Sequence, residues 1–257
     1  MPKRTQWLLR LSLSLCLPAI TACVAGRPTS DNNILCFTCT EVTCQPAAAA
    51  ACGEPSGRHA GAQSEARFLS GEIDLTGDGV PELVRRVGTQ VSIEQDGVEV
   101  WRTLPNWDVV DVALGDPNDD GRGELLLAFW REDDEGIPRS HPFIIGYREG
   151  TYRTLWGGSA VRDPIHEVEL GDLDGDGVQE LVVLESSAED NRAVTVWRWH
   201  GWGFSLQWRS ERGVYSDLAL VSADDDRPAG IRVSRVAERA GCRRSQRVAQ
   251  YRCGRFG

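Results

Sequence analysis

The chain has 257 residues, 41% of them hydrophobic and 26% charged, a globular balance with room for one sizeable domain and a tail. Its formal net charge of −10 excludes nucleic acid as the main partner, since that partner needs a basic surface. The first 22 residues carry Lys3, Arg4 and Arg10 and no acid, so the remainder is more acidic than the whole.

Residues 1–22 read as an export signal. A basic n-region, Met1 to Arg10, precedes an apolar stretch from Leu11 to Ile20. That stretch is too short to span a bilayer, which takes ~20 apolar residues. It ends Ile20-Thr21-Ala22-Cys23, which resembles the lipobox of bacterial lipoproteins. The resemblance implies that Cys23 becomes an acylated N-terminus, with the membrane as a partner through the lipid anchor. The alternative is an ordinary signal peptidase site with a chance Cys. Val24 stands where an Asp would retain such a lipoprotein at the inner membrane, which points to the outer membrane or cell surface.

Residues 23–65 show no sustained apolar period and include the run Ala47 to Ala51, so they are expected to form a flexible tether. The tether holds Cys36, Cys39, Cys44 and Cys52, while Cys242 and Cys253 sit at the far end. An even count in an exported chain predicts disulfides, of unassigned connectivity. A four-cysteine zinc site at Cys36-x-x-Cys39 with Cys44 and Cys52 is the sharper alternative.

From residue 66 onward one loop pattern recurs. Asp172, Asp174, Asp176 and Glu180 stand at positions one, three, five and nine of a stretch with Gly177 at six. Asp74, Thr76, Asp78 and Glu82 repeat it, as do Asp116, Asn118, Asp120 and Glu124. A worn copy begins at Ser222 and keeps Asp224 and Asp226, but has Arg227 at six and Gly230 at nine. The spacing is about fifty residues, the mark of a repeat architecture. Alternate oxygens converging from a tight loop suit a hard cation, and calcium takes ~6–8 oxygens. The residue at seven (Val80, Arg122 or Val178) can add its backbone carbonyl. Asp-Gly pairs also form plain β-turns, which is the reading to beat.

The flanks are strands. Val110 to Leu114, Val168 to Leu170 and Leu218 to Leu220 alternate at period two ahead of the loops. Leu83-Val84, Leu125 to Phe129, Leu181 to Leu184 and Ile231 to Val233 follow them. A third strand follows in most units. A fourth ends on an aromatic: Trp101, Trp156, Trp208 and, in the last unit, Tyr251. Four short antiparallel strands per repeat make the blade of a β-propeller. An EF-hand would need flanking helices and a Glu at twelve.

These loops, between two strands, resemble FG-GAP and VCBS repeats, the family of the integrin α-subunit propeller. The resemblance covers about residues 66 to 255, although no Phe-Gly…Gly-Ala-Pro stretch precedes any loop. It implies an all-β, β-propeller-like array of about four four-stranded blades over 66–257. It also implies calcium held by Asp74, Thr76, Asp78, Val80 and Glu82; by Asp116, Asn118, Asp120, Arg122 and Glu124; and by Asp172, Asp174, Asp176, Val178 and Glu180. Carboxylate count predicts the tightest site in repeat three and none in repeat four. A closed small ring, an open arc and a piece of a larger assembly all remain open.

Other residue groups point to little chemistry. His59, His141, His166 and His200 share no ligand spacing and read as surface or loop residues. No nucleophile elbow, phosphate loop or dinucleotide fingerprint occurs. The Arg-rich end (Arg232, Arg235, Arg239, Arg243, Arg244, Arg247, Arg252 and Arg255) reads as outward-facing strand residues rather than an anion patch. Trp199-His200-Gly201-Trp202-Gly203 reads as a hairpin turn exposing aromatic surface. The expected role is binding or scaffolding at the cell envelope, with a protein or glycan partner and no catalysis. The alternatives are a structural subunit of an envelope complex and an enzyme with its site in a central depression.

Overall fold

A computed structural model describes residues 34–40, 43–53, 68–132, 135, 138–158, 163–186, 191–223, 229–235, 242–244 and 251–253, the last two stretches as backbone only. Four four-stranded antiparallel sheets make up the architecture. The first is β3 (Ser70–Ile73), β4 (Glu82–Val87), β5 (Gln90–Gln95) and β6 (Val98–Arg102). The second is β7 (Asp108–Gly115), β8 (Glu124–Glu132), β9 (Pro138–Arg148) and β10 (Thr151–Gly157). The third is β11 (Ile165–Gly171), β12 (Glu180–Ser186), β13 (Arg192–Trp199) and β14 (Phe204–Arg209). Each is a meander in sequence order, as tight turns between alternating strands dictate.

The fourth sheet is assembled differently. Its order is β15 (Tyr215–Val221), β16 (Gly230–Arg235), β1 (Ile34–Thr40), β2 (Thr43–Ala47). β1 pairs antiparallel with β16, from Ile34 opposite Ser234 to Thr38 opposite Gly230. The expected tether is therefore corrected over Ile34–Thr40 and Thr43–Ala47, which are two strands of a sheet, with a 3-10 turn at Ala49–Ala51. Leu35 and Phe37 alternate with Cys36 on β1, and cysteine, an apolar residue when bridged, completes a period that polar neighbours obscure. The expected fourth strand ending at Tyr251 is corrected too. β18 (Tyr251–Cys253) pairs only with β17 (Cys242–Arg244), in a separate two-stranded sheet that sets Cys242 opposite Cys253.

Three apolar cores join successive sheets. Val84, Val91 and Ile93 of the first meet Leu125, Leu127 and Phe129 of the second. Leu126, Ala128 and Ile144 of the second meet Val168, Leu181 and Val183 of the third. Val182, Leu184 and Val196 of the third meet Phe37, Ile231 and Val233 of the fourth. The middle strands of the second and third sheets are apolar on both faces because each is covered on both sides. Trp101, Trp156 and Trp208 occupy the fourth strand of the first three sheets and pack half-buried onto these three cores. His141 corrects the expectation of a surface histidine, since it is buried on β9 near Phe129 and Phe143.

Two buried acids reinforce the stacking. Asp111 of β7 accepts the Val168 N–H of β11 at 3.0 Å, and Glu167 of β11 accepts the Leu218 N–H of β15. Both lie at a bulge in the first strand of their sheet, where the freed N–H of the next sheet would otherwise be unsatisfied.

Candidate metal centre

The three well-matched loops connect the first two strands of the first three sheets, and each begins a second strand on its closing glutamate: Glu82, Glu124 and Glu180. Gly at position six has the expected left-handed backbone at all three, with φ of 85° at Gly79, 83° at Gly121 and 90° at Gly177. The first aspartate folds each loop around its carboxylate. Asp74 accepts N–H groups of Gly77 at 2.7 Å and Gly79 at 2.8 Å. Asp172 accepts those of Gly175 at 2.6 Å and Gly177 at 2.9 Å. Asp116 accepts those of Asp120 at 3.1 Å and Gly121 at 2.8 Å. Asp78, Asp120 and Asp176 each accept the N–H two residues on, from Val80, Arg122 and Val178.

The closing glutamates are the unusual groups. Glu82 is 1% exposed and Glu124 and Glu180 are 0% exposed. Glu82 Oε2 accepts the Leu75 N–H at 2.8 Å and Glu180 Oε2 the Leu173 N–H at 2.9 Å. Pro117 stands at that position in the middle loop and has no N–H, so Glu124 is served instead by Asn118 Nδ2 at 3.2 Å and Arg148 Nη2 at 2.8 Å. In every loop one glutamate oxygen accepts no hydrogen bond: Glu82 Oε1, Glu124 Oε2 and Glu180 Oε1. Leaving a buried carboxylate oxygen unsatisfied costs about 1–3 kcal/mol or more. Burial pushes the Glu124 and Glu180 carboxyls up to about 7, against the opposing pull of Arg148 on the one and of the Leu173 N–H on the other. The Tyr152 hydroxyl is close enough to Glu82 for that charge, after burial, to raise its pKa, yet it makes no hydrogen bond of good geometry.

Asp172, Asp174 and Asp176 bring one oxygen each within 4.8 Å of one another. A guanidinium stands among these acids: Arg198 bonds Asp174 at 2.9 Å, pairs with Asp176, and lies 3.7 Å from Glu180 Oε1. It holds the Asp176 carboxyl below its ordinary range, helped by the Val178 N–H. Arg148 likewise pairs with Asp120 and Glu124. Asp74 is lowered only by neutral donors, first the Gly79 N–H. The loops are also tied to each other. Gly123 N–H donates to Asp74 O at 2.9 Å, and Asp116 N–H to Gln179 Oε1 at 2.8 Å. A Cβ on Gly115 would lie 2.0 Å from that Gln179 oxygen, so a side chain there would displace Gln179 from this bond. These arginines, Gln179 and Pro117 escaped sequence reasoning because none lies in the loop pattern as an oxygen donor.

Among the described residues only the third loop gathers three acid oxygens in a group that could hold a hard cation, while each of the three loops has a buried glutamate oxygen without a hydrogen bond. Val80, Arg122 and Val178 stand at position seven of the loops. Asp224, Asp226 and Arg227 of the worn fourth loop lie outside the described residues, as does Cys23.

The cysteines of the former tether are bridged: Cys36 to Cys52 and Cys39 to Cys44. This corrects the four-cysteine zinc alternative, because a disulfide sulfur has no thiolate to offer a metal. In a comparison with known proteins, the chain matches no family model and no curated sequence.

Proposed function

We propose that the chain is a calcium-stiffened, propeller-like binding or scaffolding protein of a bacterial cell envelope, held at the membrane by an acylated Cys23 and without catalytic activity. The carrying observation is the recurrence, in three loops, of a buried closing glutamate with one oxygen left without a hydrogen bond. A cation held by Asp74, Thr76, Asp78 and Glu82, and by the matching residues of the next two loops, would satisfy that oxygen and offset the clustered charge. The resemblance of the loops to FG-GAP and VCBS repeats and the blade-like sheets support the same reading. The two disulfides suit an oxidising compartment outside the cytoplasm. The buried acids Asp111 and Glu167 accept backbone N–H groups of the next sheet.

The test is calorimetric titration of the chain with calcium, paired with melting in calcium and in chelator. Binding with a higher melting temperature in calcium is expected, and zero stoichiometry with equal melting curves returns the loops to plain Asp-Gly turns. A second reading, a structural subunit of an envelope complex, is favoured by one observation. Among the described residues, six of the eight exposed large hydrophobics (Leu69, Val80, Val87, Val98, Val100 and Leu104) lie in or beside the first sheet. Sedimentation of the chain with its native membrane fraction discriminates the two, since a subunit would remain in a larger particle after detergent extraction.

A further inference from the structure

A cavity of about 270 Å³ opens between the second and third sheets. Its walls include Trp156 of β10, Trp197 of β13, and Trp202 and Phe204 at the β13–β14 hairpin. The hairpin is as the sequence predicts: His200 N–H meets Gly203 O at 2.9 Å, and Gly201 takes φ of 83°. It projects Trp202, 78% exposed, over the opening. Trp156 and Phe204 stand 5.4 Å apart with their planes at 73°, two adjacent sides of a box and not a stack. A single carboxylate, that of Glu185, reaches the lining and is 4% exposed. Arg209 pairs with Glu185 Oε1 at 2.7 Å, off the axis of a hydrogen bond, and does not itself line the cavity.

We propose that this cavity binds the trimethylammonium group of a small quaternary ammonium ligand. Aromatic walls at right angles attract such a cation through their ring faces, and the attraction strengthens where water is excluded. The ligand has no N–H to satisfy, which matches a lining with little hydrogen-bonding capacity. The indole N–H of Trp197 is already given to Thr195 Oγ1 at 2.9 Å. A sugar would need more donors and acceptors than the indole N–H groups of Trp156 and Trp202 and one paired carboxylate, and an anion would meet Glu185. Glu185 gives the lining its carboxylate, whose negative charge is shared with Arg209 outside the cavity wall. The volume is just below the ~300–1,000 Å³ of sites for drug-sized molecules, as a small headgroup requires.

The test is tryptophan fluorescence of the chain titrated with choline or tetramethylammonium, with sodium chloride at equal ionic strength and the neutral isostere 3,3-dimethylbutan-1-ol as controls. Chelator is present throughout, so the result is independent of the calcium reading. A saturable change is expected with both cations and with neither control. Glu185→Gln keeps every indole and is expected to weaken the cations by about threefold or more, since a carboxylate already paired with Arg209 contributes only part of its charge. Trp202→Ala, at an exposed position that leaves melting unchanged, is expected to weaken them comparably. An equal response to the neutral isostere, an unchanged affinity in Glu185→Gln, or no saturable response to either cation overturns the proposal.

Discussion

The first three sheets and the fourth close the same hairpin by opposite means. Glu82, Glu124 and Glu180 open the second strand of the first three, paired with the last residue of the preceding strand. Gly230 holds that place in the fourth, paired with Val221. A Cβ on Gly230 would lie 2.9 Å from Phe37 O and 3.1 Å from Cys52 Sγ. The space that a buried carboxylate takes elsewhere is filled here by β1 and the Cys36–Cys52 disulfide. Carboxylate and disulfide are thus alternative fastenings of one position, and a sheet that has the second has no room for the first. The charged fastening leaves one carboxylate oxygen without a hydrogen bond; the covalent one serves a sheet whose third and fourth strands come from the distant N-terminus.

The largest effect that tests this contrast is removal of the covalent fastening. Cys36→Ala with Cys52→Ala is expected to cost about 3 kcal/mol, since the bridge closes a 16-residue separation. The same pair of changes at Cys39 and Cys44, five residues apart, should cost less, about 2 kcal/mol. Thermal or denaturant unfolding measures both, and equal melting of the first variant and the parent would mean that β1 is held by pairing alone. Next comes Gly230→Ala, which pushes a methyl against the Phe37 carbonyl and should cost about 1–3 kcal/mol. Gly230→Glu should cost at least as much and add no calcium site. A gain in calcium stoichiometry in that variant would refute the idea that the two fastenings exclude each other.

Much of this was legible in the sequence, for reasons that differ by residue. The meanders were readable because Val110 to Leu114 and Leu181 to Leu184 sit beside loops that only a reversal explains. The left-handed turns at Gly79, Gly121 and Gly177 were readable because no other residue takes that backbone freely. The fourth sheet was not, because Phe37 and Ile231 are partners across most of the chain and no local period joins them. Cys36 and Cys39 were visible as disulfide candidates, yet nothing local showed that they lie on a strand. Nor could spacing reveal that Pro117 deprives Glu124 of a donor, or that Arg148 and Arg198 enter the acid clusters from the third strand.

Calcium removal should come next in size. At tenfold saturation each occupied loop adds ~1.4 kcal/mol, because only the folded loop gathers its ligands. Chelation is therefore expected to lower the melting temperature while leaving the disulfide-fastened sheet unaffected. Asp176→Ala should reduce the calcium-dependent part of the stability, and Asp226→Ala should not. Melting curves of the two variants with and without calcium give the answer, and equal losses would show that the fourth loop also binds.

The smallest effect ranks the three carboxylate loops among themselves. By carboxylate count the third is richest, with Asp172, Asp174, Asp176 and Glu180. Arg198, one residue beyond the Leu181–Trp197 pair, already stands among three of those acids. In the first loop the corresponding place, one beyond Leu83–Glu94, holds the neutral Gln95. An incoming calcium must displace Arg198 from the third loop and meets no such cation from that strand in the first. Carboxylate count and charge already offset therefore oppose each other, and the richest loop need not bind most tightly. Arg198→Gln separates the two terms: it leaves every oxygen donor in place and removes only the competing charge. A half-exposed ion pair is worth at most ~1 kcal/mol, so the third loop should bind calcium up to about fivefold tighter in this variant. The gain should appear in one site of the calorimetric isotherm, with the other sites unchanged. An affinity unchanged or lowered by Arg198→Gln would mean that the guanidinium helps to shape the loop, and that carboxylate count alone ranks the sites.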